Sequence, residues 1–466
     1  MQNTVLTPIK VAIFFGGPSR EREISFAGGR TVYDHLDRKK FEPVPIFVDS
    51  LGNFILLHKQ YLYQGTIREF YPSAITANFG GVPLYIESLP TTESHALHIE
   101  KIGKKIDPPD FSKYFDMAFL CLHGPYGEDG TIQGLLRWYH IPYTGSDILP
   151  AALTINKIFQ QKLLQQSGFV LPRSLILGQK EWLDIDDKEK LFDQIMTALG
   201  LPFVVKSSKQ GSSIGVTIVE DATLHSFIHA VHKAFFMEAI SYDQWQSYTR
   251  TDIKNWLISL IDVREGIGFP LRVADQIFYT PYTLLNYLEL YFQKKQPPIL
   301  LMSAQAEASI IIEAFIQGRE FSCMVLEAET GNPIALPPTE MVKGKIHFDY
   351  RAKYLPGIVR KQTPMILSTS LLKRIRKQAI DLFQLLDCQV YARIDGFITH
   401  DNEIILNDPN TTAGMHPASF LFHQAAEIGL YPTQLLTFII QRSLEVRKDE
   451  GYLMADTLLQ RIEKQK

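Results

Sequence analysis

His123-Gly124-Pro125-Tyr126-Gly127-Glu128-Asp129-Gly130-Thr131-Ile132-Gln133-Gly134 follows directly on the apolar run Met117–Leu122. An apolar run this short, bounded by turn residues, reads as a buried parallel strand. The four glycines in the next twelve residues make a tight loop at its carboxyl end. Open α/β sheets bind ligands at the carboxyl ends of their strands. A second loop of this kind follows Val11–Phe15 and reads Gly16-Gly17-Pro18-Ser19-Arg20-Glu21-Arg22-Glu23. It lacks G-x-G-x-x-G, which argues against a dinucleotide-binding oxidoreductase. Glu21 by itself fits a carboxylate at a helix start, where the dipole favours it.

Working outward, a helical stretch runs from this loop to about Leu36, and strands follow at Val44–Val48 and Phe54–Leu57. Residues 58–110 read as irregular. Strands alternating with helices indicate an open α/β domain, and the proline and glycine cluster at 141–146 closes it, giving a first domain of residues 1–146. Beyond the boundary, Asn156–Gln166 reads as a helix. The strands Phe203–Lys206 and Gly215–Val219 are joined by Ser207-Ser208-Lys209-Gln210-Gly211-Ser212-Ser213-Ile214. Small residues let backbone N–H groups converge on an anion, and a strand-end lysine adds a point charge for phosphate. The loop is not a Walker motif, and it also fits a surface turn. Residues 222–236 are helical. Residues 237–306 hold two of the four tryptophans and six tyrosines. They read as helices without a chemical motif, their aromatics serving a core or an interaction module. Strands follow at Ile310–Phe315 and Glu320–Glu327, then a long amphipathic helix near 369–386.

Arg393–Ile398 and Glu403–Asp408 flank His400-Asp401-Asn402 and read as a β-hairpin. With a two-residue turn at Asp401-Asn402, residue 395 opposes 408 and 393 opposes 410. Arg393, Asp395, Asp408 and Asn410 then share one face. Opposed carboxylates repel unless something neutralises them. Two carboxylates and a carboxamide without His or Cys form a hard-oxygen set suited to Mg²⁺. Arg393 beside them suits a phosphate or an oxyanion. The same residues fit a solvated hairpin end.

The chain has 466 residues, enough for two or three domains. Its 47 basic and 50 acidic residues nearly cancel, so nothing points to nucleic acid or an anionic membrane. Cys121, Cys323 and Cys388 lie far apart in apolar runs, so they suggest core thiols in a reducing compartment. The N-terminal apolar run is about five residues, below the roughly 7–15 of a secretory signal, and no apolar run reaches the roughly 20 residues of a membrane span. A cytoplasmic protein is expected.

Taken together the motifs resemble the D-alanine–D-alanine ligases of the ATP-grasp superfamily. The matching segments run in family order: GGPSREREIS at 16–25, HGPYGEDGTIQG at 123–134, PYTGS at 142–146, FVVKSSKQGSSIGV at 203–216, IIEAFIQGREFS at 311–322, FDYRAKYLP at 348–356, ARID at 392–395 and NTTAGM at 410–415. The resemblance spans nearly the whole chain; residues 237–306 have no counterpart in a minimal member. It implies an α/β (α+β) chain with a three-domain ATP-grasp fold. The open α/β domain is residues 1–146. The central domain is 147–316 with an insertion at 237–306, and the C-terminal domain is 317–466.

The resemblance also implies roles. Lys157 and Lys206 hold the ATP phosphates, Glu313 and Phe315 line the adenine pocket, and Glu320 binds the ribose. Asp395, Asp408 and Asn410 ligate two Mg²⁺ ions, with Mn²⁺ as a substitute. Glu21 holds the ammonium of the first D-alanine, with His123 nearby. Arg393 and the backbone of Gly414 stabilise the oxyanion. Ser419 and Lys353 hold the second carboxylate. Tyr354 and Ser212 form a triad with Glu21. The implied partners are two D-alanine molecules, with a homodimer left open, and the product serves peptidoglycan synthesis. Departures from the family pattern are Asp408 for Glu, Pro409, Ala413 for Pro, Gly396 for a larger apolar residue and Asn156 for Asp. The alternatives are a ligase for another amino-acid pair and a nucleotide-binding relative that lost turnover.

Overall fold

The computed structural model describes residues 7–72, 78–79, 82–89, 92–343 and 359–464. Lys353 and Tyr354 lie outside the described residues. The first sheet has the order Gly103–Ile106, Phe54–Leu57, Phe41–Val48, Ile9–Gly16, Met117–Leu120. Ile9–Gly16 pairs in parallel with Phe41–Val48 on one side and Met117–Leu120 on the other. Val11 to Phe15 are all buried, as a strand covered on both faces requires. Phe14 is in register with Leu120, so the two glycine-rich loops leave the sheet side by side. The stretch 58–110 is more ordered than its sequence suggests. It holds the helix Thr92–Ile102 and the strand Gly103–Ile106, antiparallel to Phe54–Leu57. That strand carries two lysines because it forms the edge, where charge blocks further pairing.

A second sheet, entirely antiparallel, has the order Thr217–Val219, Phe203–Ser207, Ser309–Ala314, Ser174–Gly178. A third runs Val359–Gln362, Thr339–Lys343, Gly318–Glu327, Tyr391–Thr399, Ile404–Asn410, with Pro333–Ala335 also paired to Gly318–Glu327. The helix Thr369–Leu385 packs on it through Leu371, Ile375, Ala379 and Leu382, a stripe at helical spacing.

Residues 237–306 depart from the all-helical expectation. Helices Tyr242–Ser247, Arg250–Ile261 and Pro281–Tyr291 surround a four-stranded sheet of Met237–Ile240, Ile299–Ser303, Leu271–Val273 and Gln276–Phe278. These strands are three to five residues long, too short for a period-two pattern to stand out from helical neighbours. The aromatics do build a core: Trp245 meets Trp256 edge-on at 6.0 Å and also packs on Phe292. Cys121, Cys323 and Cys388 are buried and unbridged, and burial raises all three thiols above their ordinary pKa.

Candidate active site

The hairpin differs from its expected form at two places whose effects cancel. Ile398 faces Ile404, and Thr399 N–H donates to Glu403 O at 3.0 Å, so the tip has three residues, with Asn402 at φ 61°. Such a tip needs one left-handed residue. It shifts the register by one from that of a two-residue turn. Further along, Gly396 faces Leu406 while Asp395 faces Asp408, leaving Asn407 as the extra residue of a β-bulge. The bulge restores the register, so Asp395 opposes Asp408 and Arg393 opposes Asn410 as expected.

Each opposed carboxylate has its own cation. Arg393 Nε and Nη2 donate to Asp395 at 2.9–3.2 Å. Lys157 Nζ lies 2.9 Å from Asp408 Oδ1 and donates to Gln210 O at 3.0 Å. Burial disfavours the Lys157 ammonium, but Asp408 outweighs burial and holds its pKa above the ordinary lysine value. Lys157 opens the helix Lys157–Gln166, whose N-cap is Asn156: its Oδ1 accepts from Phe159 N–H at 3.2 Å. Asn410 Nδ2 donates to Asp408 O at 2.7 Å, which directs the amide oxygen elsewhere.

Lys157, Lys206, Glu313, Phe315, Glu320 and Asp408 line one cleft between the second and third sheets. Val204, Val216, Ile218 and Phe397 give it apolar walls. Lys206 Nζ donates to Glu313 Oε1 at 2.6 Å and to Asn407 Oδ1 at 3.2 Å, and Gln161 Nε2 supports Glu313 Oε2 at 3.2 Å. Glu313 and Lys206 are both buried. Glu320 faces Phe397 across the third sheet. Asn407, Gln161 and Gln210 are site residues that sequence reading missed. Asn407 occupies the bulge, which no sequence pattern marks.

The loop 207–215 leans on Glu307, another unforeseen residue. Glu307 accepts from Ser208 Oγ at 3.0 Å and Gln210 Nε2 at 2.9 Å. Ser212 and Ser213 take positive φ, and Ser212 Oγ donates to Glu21 Oε1. Gly211 presses so closely on Glu21 that a Cβ there would stand 2.7 Å from Oε2. Glu21 ends the loop after the first strand. Burial pushes its carboxyl pKa up, and Glu128 adds to the rise against His123 and Ser212. His123 Nδ1 lies 3.7 Å from Glu128 Oε1. Burial lowers the imidazole pKa, but Glu128, with Glu21 behind it, turns the shift upward. Glu21 Oε2 and His123 Nε2 are buried and make no hydrogen bond among the described residues. A buried polar atom of this kind needs an explanation, and beside the cleft a ligand group can supply it.

Ser419 is buried and caps the helix Phe420–Ala426. Beside it Lys361 Nζ donates to Ala418 O at 2.5 Å and stands 4.5 Å from the Phe420 ring. Burial, then the charge of Arg393, lower Lys361 to about 8. Burial, then Lys361, His123 and Arg393, lower His416 to about 4. Gly414 adjoins His416, 3.6 Å separating the ring from a Cβ placed on the glycine. Lys361 and His416 carry no motif that sequence reading could use.

Known proteins place this site in context. The models for the D-ala D-ala ligase N-terminus and C-terminus match residues 10–146, and residues 163–243 with 294–441. The chain belongs to the D-alanine–D-alanine ligase family. The D-alanine–D-alanine ligase of Nocardia farcinica is 27% identical over 94% of this chain and 97% of its own. That of Oceanobacillus iheyensis is 26% identical over 94% and 95%. Among solved structures, the D-alanine–D-alanine ligase of Coxiella burnetii superposes with a TM-score of 0.61 at 20% identity, over 96% of this chain and 97% of that one. The Bacillus anthracis ligase complexed with ATP gives 0.53 at 24% identity, over 95% and 100%. The fold is the ATP-grasp fold of these ligases. The family model skips residues 244–293, within the 237–306 stretch, and matches the residues on either side of them.

Proposed function

We propose that this chain joins two D-alanine molecules, converting ATP to ADP and phosphate. One observation carries the reading. Gly211 lines the lysine-rich cleft, and the same glycine presses on Glu21, whose buried Oε2 has no hydrogen-bond partner among the described residues. A phosphate-binding cleft and an amine-binding carboxylate thus share one loop.

In this reading Glu21 binds the first ammonium, with His123 and Ser212 setting its charge. The first carboxylate attacks the γ-phosphorus of ATP, the bond to the bridging oxygen breaks, and ADP leaves an acyl phosphate. Lys157 and Lys206 neutralise the phosphate oxygens. The second substrate, as the free amine, attacks the acyl carbon; Arg393 and the Gly414 N–H stabilise the oxyanion, the C–O bond to phosphate breaks, and the nitrogen gives up one proton, which the departing phosphate carries away. Ser419 and Lys353 hold the second carboxylate, and Tyr354 completes the triad with Ser212 and Glu21. The loop 207–215 keeps water from the acyl phosphate.

Asp395, Asp408 and Asn410 fit Mg²⁺. They offer oxygen donors only, and the two carboxylates are opposed at a cleft where lysine and arginine balance them. When bound, the metal supplies charge neutralisation to the β- and γ-phosphates. We place the reaction in the cytoplasm, in peptidoglycan precursor synthesis. Among the described residues no helix is long and apolar enough to cross a membrane.

The test is incubation with ATP, Mg²⁺ and D-alanine, following ADP and dipeptide. D-alanine-dependent release of both is expected. No such ADP release sinks the reading, and ADP without dipeptide indicates a different acceptor.

A further inference from the structure

Arg20, next to Glu21, points away from the cleft and into the insertion. Its guanidinium donates to Val263 O at 2.9 Å, Gly266 O at 3.3 Å, Ile267 O at 2.7 Å and Ser303 Oγ at 3.1 Å. It also stacks 3.6 Å from the Phe236 ring centroid. Burial, then the charge of Arg22, lower its pKa to about 9, so it stays charged at neutral pH. A buried cation held by four acceptors and a ring fixes the geometry of its loop.

The receiving loop is shaped for this contact. Gly268 has φ +68°, and a Cβ there would stand 3.4 Å from Arg20 Nη1. Gly266 leaves no room for a Cβ, which would meet Ser259 O at 1.9 Å. The contact is also not isolated. The core of the insertion takes in Ile24 from the helix after Glu21, Tyr85 from the first domain, and Ile214 from the loop that carries Ser212. Both walls of the Glu21 pocket are therefore anchored in one hydrophobic cluster.

We propose that residues 237–303 act as a bracket for the first amino-acid site, with Arg20 the positioning residue through which they hold the Glu21 loop. This rests on the reading of Glu21 as the ammonium ligand. The Arg20 contact acts on the Glu21 side, because Lys157 and Lys206 take no bonds from Arg20 or from residues 237–303 among the described contacts, so its loss affects binding of the first amino acid ahead of the nucleotide.

The experiment measures ADP release against D-alanine and against ATP for the wild type, Arg20→Ala, Arg20→Lys, Gly268→Ala and Ser303→Ala. Melting curves accompany each. Arg20→Ala and Gly268→Ala should raise the KM for D-alanine about tenfold or more, with kcat and the KM for ATP within about twofold. Arg20→Lys should recover part of the loss, and Ser303→Ala should give a smaller rise in the same constant. Folded Arg20→Ala and Gly268→Ala enzymes with an unchanged KM for D-alanine overturn the bracket. So does a parallel rise in both KM values. If Arg20→Ala does not fold, the same split in Gly268→Ala and Ser303→Ala supports the bracket and its absence overturns it. A wild type with no D-alanine-dependent ADP release overturns the reading of Glu21 and the bracket with it. An active wild type with unmoved variants overturns the bracket alone.

Discussion

Lys157 Nζ lies 2.9 Å from Asp408 Oδ1, one strand over from the Arg393–Asp395 pair. Two opposed carboxylates are thus each balanced by a separate cation. Asp395→Asn and Asp408→Asn relieve the carboxylate repulsion but take the charge partner from Arg393 or Lys157, so both should fold with melting temperatures below wild type. Turnover should fall at least about a hundredfold in each, because the hard-oxygen set is broken. Melting curves with coupled ADP assays check this, and an active Asp395→Asn enzyme would mean the metal site is misplaced.

Lys206 and Glu313 form a buried pair at 2.6 Å. Among the described contacts, Lys206→Met leaves the Glu313 carboxylate with Gln161 as its side-chain donor. Removing one partner of a buried pair costs about 3–5 kcal/mol. The variant should melt well below wild type and lose the rise in melting temperature that ATP produces. Differential scanning fluorimetry with and without ATP reads both effects.

Glu21 is a carboxylate whose folded pKa is raised, chiefly by burial. Below the ordinary value of 4.5 the group is protonated folded and unfolded alike, and it does not change stability with pH. As pH rises from 4.5 through the folded pKa, the folded state holds the proton more tightly and stability falls. Above that value the full cost of the buried charge remains. Glu21→Gln should therefore melt higher than wild type at neutral pH, by about 3 °C. The gap should close as pH is lowered toward 4.5. Paired melts across this window test the sign, and a gap independent of pH would exclude titration of Glu21 as its source.

Gly211→Ala places a methyl 2.7 Å from Glu21 Oε2. Glu21 is buried and held by Ser212, so the carboxylate must shift. The KM for D-alanine should rise more than about tenfold, while ATP should still raise the melting temperature. Equal loss of both would show that the loop as a whole has collapsed.

Much of this was legible in the sequence because buried strands and glycine loops are local signals. Val11–Phe15 and Met117–Leu122 announced themselves by composition, and the loops after them carry Glu21 and His123. The opposition of Asp395 and Asp408 was also foreseen, but through a turn of the wrong length compensated by an unforeseen bulge. The sheet within 237–306 was not legible, since its strands are too short to show a period. Glu307, Lys361 and His416 were missed because what they contact is distant in the chain.

In a regular strand Asn407 and Asp408 would face opposite ways. The bulge turns both toward the cleft, where Lys206 meets the first and Lys157 the second. The separation of the two positive charges is therefore referenced to a single peptide unit, about 3.8 Å between Cα atoms. Any movement of the hairpin is felt by both charges together, which makes this hairpin the ruler against which the phosphate chain is measured.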